Sequence, residues 1–156
     1  MKKIICFFIT LFSLILFSLT TYASEPTTTD TIEIFDNGDY LITTLEDEAS
    51  SSNIALLSTT TTKSKTSKYY NSNNELMWYV KVTGTFTYGN GTSKCTASSV
   101  TAKSNVAAWK ISNKSASKSG NAAIGKATAK QYFDGTVVNT INRTVKLTCS
   151  PTGVFS

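Results

Sequence analysis

The chain has 156 residues, with 15 Lys and Arg against 10 Asp and Glu, a net charge of +5 and no histidine. That length suits one domain with a real core plus a short extension. The missing histidine excludes Ser-His-Asp and Cys-His catalysis and the usual zinc sites, and removes the commonest general base near neutral pH.

Met1-Lys2-Lys3 is a short basic start, and Ile4 to Leu19 is almost wholly apolar. Thr21-Tyr22-Ala23 then puts small residues where a signal peptidase reads them. This is the three-part pattern of a secretory signal peptide over residues 1–23, with cleavage between Ala23 and Ser24. Cys6 precedes the apolar stretch and leaves with it, so lipidation there is not expected. No later stretch is apolar and long enough to span a membrane, which makes the expected location extracellular, free or associated with the cell wall. The remaining Cys95 and Cys149 then read as one disulfide. It would close a loop of more than 50 residues and stabilise the fold by roughly 4 kcal/mol in the chain-entropy view.

Charge divides the rest. Residues 24–62 carry eight acidic residues and no basic one, −8; residues 63–156 carry thirteen basic and two acidic residues, +11. The sequence therefore reads as an acidic arm with a Ser/Thr-rich linker, followed by a basic domain from Lys63. Within the arm, Ile32–Phe35 and Tyr40–Ile42 flank Asp36-Asn37-Gly38-Asp39, a strong hairpin signal. Such a hairpin is not stable alone and must dock or stay mobile. The same four residues have calcium-binding atoms but too short a loop for a calcium site.

The basic domain reads as strands over Lys63–Tyr70, Leu76–Tyr88, Thr92–Ala102, Val106–Ile111, Ala122–Phe133 and Thr136–Cys149. In the second, Leu76, Trp78, Val80, Val82, Gly84, Phe86 and Tyr88 fall on one face, and Met77, Tyr79, Lys81, Thr83, Thr85 and Thr87 on the other. Asn71–Asn74, Gly89-Asn90-Gly91 and Asp134-Gly135 are turns. The Ser/Lys-rich run up to Asn121 reads as a turn or short edge strand. Val137, Ile141, Val145, Leu147 and Cys149 share a core-facing parity. The prediction is an all-β fold: an antiparallel β-sandwich, Ig-like in architecture, or an incomplete barrel of about six strands. Trp78 and Trp109 are its core aromatics, with Ala127 and Ala129 leaving room for them.

Chemistry is scarce. Glu75 and Asp134 are the only carboxylates of the basic domain, and each abuts a turn, so neither is assigned a catalytic role. Ser115-Ala116-Ser117-Lys118 matches the S-x-x-K acylation motif, but lacks its companion motifs and helical setting. No phosphate-cradling glycine loop occurs, and no cofactor is expected. A surface of Tyr79, Lys81, Lys130 and Tyr132 is the candidate binding site, since exposed aromatics beside lysines stack on sugars or bases. The alternative is ordinary cross-strand packing. With one arginine and an export signal, nucleic acid is not an expected partner; anionic cell-wall polymer or another surface protein is.

Three stretches carry a resemblance: DNGDYLITTLEDE, ELMWYVKVTGTFTYGNGTSKCTASSV, and AWKISNKSASKSGNAAIGKATAKQYFDG with TVKLTCSPTG. Together they resemble a functionally uncharacterised family of small secreted proteins of Gram-positive anaerobic bacteria. The resemblance implies an exported β-domain with an acidic leader and no particular activity. A weaker similarity, of architecture and composition, is to lactococcin-like β-sandwich bacteriocins. The expected function is a non-catalytic secreted or envelope-associated β-domain. The alternatives are a bacteriocin-like antagonist whose acidic arm restrains the basic domain and, last, a small hydrolase.

Overall fold

The computed structural model describes residues 31–46, 53–55 and 58–156. The expected signal peptide, its Ala23–Ser24 cleavage site and Cys6 lie outside them. The described residues form nine strands and no helix: β1 (Thr31–Ile34), β2 (Tyr40–Glu46), β3 (Asn53–Ala55), β4 (Ser58–Tyr70), β5 (Leu76–Gly89), β6 (Thr92–Ser104), β7 (Trp109–Ser119), β8 (Ala122–Phe133) and β9 (Thr136–Thr148). One sheet runs β1-β2-β4-β5-β6, with β3 also paired to β4; the other runs β7-β8-β9. All pairings are antiparallel. The architecture is a two-layer sandwich in which hairpin follows hairpin.

Local chemistry places the turns. Asp134 and Gly135 both take positive φ, 47° and 76°, the conformation of a tight hairpin whose twist matches its strands. The predicted arm hairpin forms as β1 and β2, closed by Phe35 N–H to Asp39 O and Gly38 N–H to Phe35 O, both 2.9 Å. It docks rather than staying apart. β2 pairs with β4 from Tyr40↔Tyr70 to Glu46↔Ser64.

β4 starts at Ser58, so the threonine run read as linker is strand up to the charge boundary and through it. The cause is visible in its partner. Thr60 and Thr62 meet Thr87 and Thr85 hydroxyl to hydroxyl, at 3.3 and 3.0 Å, and β-branched residues favour a pleated surface. The Ser/Lys-rich run before Asn121, read as a turn or short edge strand, is the body of β7, an edge strand of the smaller sheet. Residues 115–118 of the S-x-x-K match lie there in extended backbone, paired with β8.

The core lies between the sheets. Trp78, Val80, Val82 and Phe86 of β5 are fully buried, as the period-two pattern predicts. They face Ala123, Gly125, Ala127 and Ala129 of β8, so large residues on one layer meet small ones on the other. A Cβ on Gly125 would sit 3.0 Å from both Val82 and Val100, which shows how closely the layers approach. Phe35, Tyr69, Trp78 and Trp109 form an aromatic cluster fed by the β1–β2 turn, β4, β5 and β7. Tyr69 donates its hydroxyl to Asp39, and burial first, then that carboxylate, holds its ionisation well above the usual tyrosine range.

One side chain ties both layers to the hairpin. Arg143 of β9 donates from Nε to Ser67 Oγ (2.8 Å) and from Nη2 to Thr43 Oγ1 (2.9 Å), and pairs with Glu33 at 2.8 Å. The acidic and basic halves of the sequence thus share one sandwich.

Two expectations are corrected. Val137 does not join the core: a bulge between Gln131 and Tyr132 sets Val137 opposite Tyr132 and leaves it exposed. Nor is the expected disulfide present, because Cys95 and Cys149 are both free, buried thiols. Each turns to a carbonyl of its own strand region, Cys95 Sγ to Ala97 O (3.2 Å) and Cys149 Sγ to Ser150 O (3.3 Å). Their backbones flank one turn, Cys95 N–H bonding Gly120 O and Cys149 N–H bonding Asn121 O. Burial pushes both thiols up, so they are poor nucleophiles. Titration of Cys95 and Cys149 under native conditions should therefore be slow, with both reacting once denaturant is added and no reductant. Finding neither reactive then would show that they are joined.

Candidate functional site

β8 presents odd-numbered residues to the core and even-numbered ones outward, so Lys126, Lys130 and Tyr132 stand on the outer face of the three-stranded sheet. Register adds neighbours. Lys110 of β7 is directly opposite Lys130, which is opposite Thr140 of β9. Lys126 sits between Ser115 and Thr144, and Lys146 pairs with Ile124. Four lysines therefore share one face with threonine and serine hydroxyls between them. None of the four pairs with a carboxylate among the described residues. From Asn105 to the end, seven basic residues stand against Asp134 alone.

Like charges directly opposite on a sheet are destabilising. Lys110 and Lys130 are such a pair, partly eased because Lys110 Nζ lies 4.8 Å from the centre of the Tyr132 ring, a cation–π contact. Tyr132 is thereby occupied by lysine rather than left as a bare stacking platform.

The other half of the predicted surface is elsewhere. Tyr79 and Lys81 alternate with the buried residues of β5 and face outward from the larger sheet. Tyr79 lies between Lys68 and Lys103. Glu46 sits 3.5 Å from Lys68 and 3.3 Å from Lys81, so those two lysines share a carboxylate, which the lysines of the smaller sheet lack. The sandwich core separates the two halves, and Tyr79, Lys81, Lys130 and Tyr132 do not form one site. Sequence reasoning missed Lys110, Lys126 and Lys146. Alternation within β8 and β9 themselves sets Lys126 and Lys146 opposite the core residues, whereas the placement of Lys110 across from Lys130 comes from strand register.

No protein-family model matches the chain, and no curated protein or solved structure matches it either. Its chemistry must be read from the site alone. Glu75 accepts a 2.7 Å bond from Asn71 Nδ2, and Asp134 shapes its hairpin, so each carboxylate serves its own turn. Among the described residues, no group of three or more Cys, Asp or Glu is placed to hold a metal ion. No helix there is long and apolar enough to cross a membrane.

Proposed function

We propose that this protein is a non-catalytic, exported binding module. It associates with the cell envelope by laying an anionic polymer across the lysine face of β7-β8-β9. The observation that carries this reading is the opposed Lys110–Lys130 pair, with Lys126 and Lys146 on the same face and no carboxylate to balance them. An anionic chain bridging the rows relieves that repulsion, and the intervening hydroxyls supply hydrogen bonds to it. The secretory leader in the sequence supports an extracellular location. The described acidic strands dock on the other sheet and on Arg143, which leaves this face to an external partner.

The test uses purified protein with soluble poly(glycerol phosphate) and, separately, phosphatidylglycerol vesicles at low ionic strength. At about 1 kcal/mol per lysine near an anionic surface, Lys110→Ala with Lys130→Ala should weaken binding by roughly 30-fold. Raising salt should abolish it, because exposed charges are screened within about 10 Å at 0.1 M. Lys68→Ala, on the other sheet and already paired with Glu46, should leave affinity unchanged. Equal losses from both sets of variants would refute a dedicated face, and no binding to either polyanion would refute the reading altogether.

A further inference from the structure

A second site stands at the end of the sandwich, independent of the lysine face. A cleft of about 530 Å³ opens between Phe35-Asp36-Asn37 of the β1–β2 turn and Asn139 to Asn142 of β9, with Tyr69 at its base. That volume lies within the usual range for small-molecule pockets. One wall is apolar, made by Phe35 and Ile141, both half-buried against the core. The Phe35 ring is held by a tilted contact with Tyr69, centroids 5.6 Å apart.

The polar groups divide into spent and unspent. Asn37 is spent within its turn, donating from Nδ2 to Asp39 at 2.9 Å and accepting the Asp39 N–H at 3.1 Å. Thr140 and Asn142 pair with Lys130 and Thr128, so their side chains stand on the outer face of the sheet, where Asn142 Oδ1 accepts the Thr128 hydroxyl at 2.8 Å, and only their backbone borders the cleft. The side chains of Asp36 and Asn139 make no hydrogen bond to any described residue. The cleft therefore offers a carboxylate acceptor and a whole amide around an apolar wall. Paired donors and acceptors of this kind suit adjacent hydroxyls, each of which donates and accepts. No basic side chain lines it, and the Asp36 charge disfavours anions. The ligand chemistry that fits is electrically neutral, rich in hydroxyls on its rim and apolar on one face.

We propose that this cleft binds a neutral saccharide ring, with Asp36 and Asn139 clasping neighbouring hydroxyls and Phe35 with Ile141 packing on the ring's C–H face. The site would seat a sugar unit while the lysine face holds negative charge, and the two are separable by experiment.

The test is an amide-resolved NMR titration of the purified protein with the methyl glycosides of glucose, galactose, mannose and N-acetylglucosamine. A saturating shift of the Asn139 side-chain amide and of the backbone amides of residues 35–37 and 139–142, at millimolar sugar for at least one glycoside, is expected. Asp36→Ala and Asn139→Ala should each weaken that binding about tenfold or more, the loss of one well-made polar contact. Both lie at exposed or half-exposed positions, so their backbone spectra should stay native, and their poly(glycerol phosphate) affinity should not change. Conversely, Lys110→Ala with Lys130→Ala should leave the sugar shifts intact and insensitive to salt. Absence of saturable shifts with all four glycosides overturns the proposal, as do shifts that survive both cleft substitutions.

Discussion

Replacing Trp78 by alanine should leave the protein barely folded. Trp78 is fully buried, stacks on Tyr69 at 5.0 Å and 7°, and meets Trp109 at 5.9 Å and 52°. It joins the cluster that holds β4 and β5 to β7, so its removal opens a void between the layers rather than within one. Aromatic-to-alanine changes in a core cost about 3–5 kcal/mol, a large share of the 5–15 kcal/mol that holds a typical domain together. Urea denaturation should show a sharply lower midpoint with an unchanged slope. Trp78→Phe is the informative partner. The indole Nε1 has no hydrogen-bond partner among the described residues, so phenylalanine gives up no hydrogen bond and keeps a ring for Tyr69 to stack on. Its cost should be less than half that of alanine. Equal costs for the two would mean that stacking in this cluster contributes nothing.

Gly84→Val should fail for the opposite reason, an excess of atoms. A Cβ at Gly84 would lie 2.7 Å from the Ala123 Cβ and 2.5 Å from the Phe86 ring. Both neighbours are fully buried, so neither can swing aside into solvent. Overpacking costs about 1–3 kcal/mol, and valine, which adds two further methyls, should reach at least the upper end. Gly84→Ala is the milder form and allows a double-mutant cycle. Ala123→Gly destabilises the native protein, but in the Gly84→Ala background it removes one of the two collisions. The pair should therefore be less damaging than the sum of its parts by about 0.5–3 kcal/mol, the range for residues in contact. Strict additivity would show that the layers do not meet at this point.

Much of this fold is legible in the sequence, and the misses share one physical origin. The strand alternates from Trp78 to Phe86, so that face is read correctly, although Met77, read as outward, is buried as well, and the turns at Asp134-Gly135 and Asn37-Gly38 announce themselves chemically. Bulges carry no such composition signal. The one between Gln131 and Tyr132 turns Val137 outward, and the one between Ser112 and Ser115 breaks the alternation of β7. β7 beyond Ile111 is also exposed on both faces, so period two has nothing apolar to mark it. At β6 a bulge beside Thr85 and Phe86 lets odd-numbered Cys95 share the core with even-numbered Val100 and Ala102. Cys149 is read as core-facing from its parity with Leu147 and is buried, while the bonding of the two cysteines is not read correctly. For the lysine face, composition reveals an excess of charge. Only strand register shows that Lys110 and Lys130 oppose each other, whereas Lys81 finds Glu46 on the far side of the molecule.

The contact between Glu33 and Arg143 joins positions 110 residues apart. Most other pairing in the molecule is between successive hairpins and can form soon after each turn closes. Folding rate falls as contacts grow more distant along the chain. The order of assembly follows: β4-β5-β6 and β7-β8-β9 zip up from their own turns, the two collapse on each other around Trp78, and only then does Arg143 have its three acceptors in reach. The first strand among the described residues is consequently secured by the last, and a chain lacking β9 would hold the β1–β2 hairpin without that anchor.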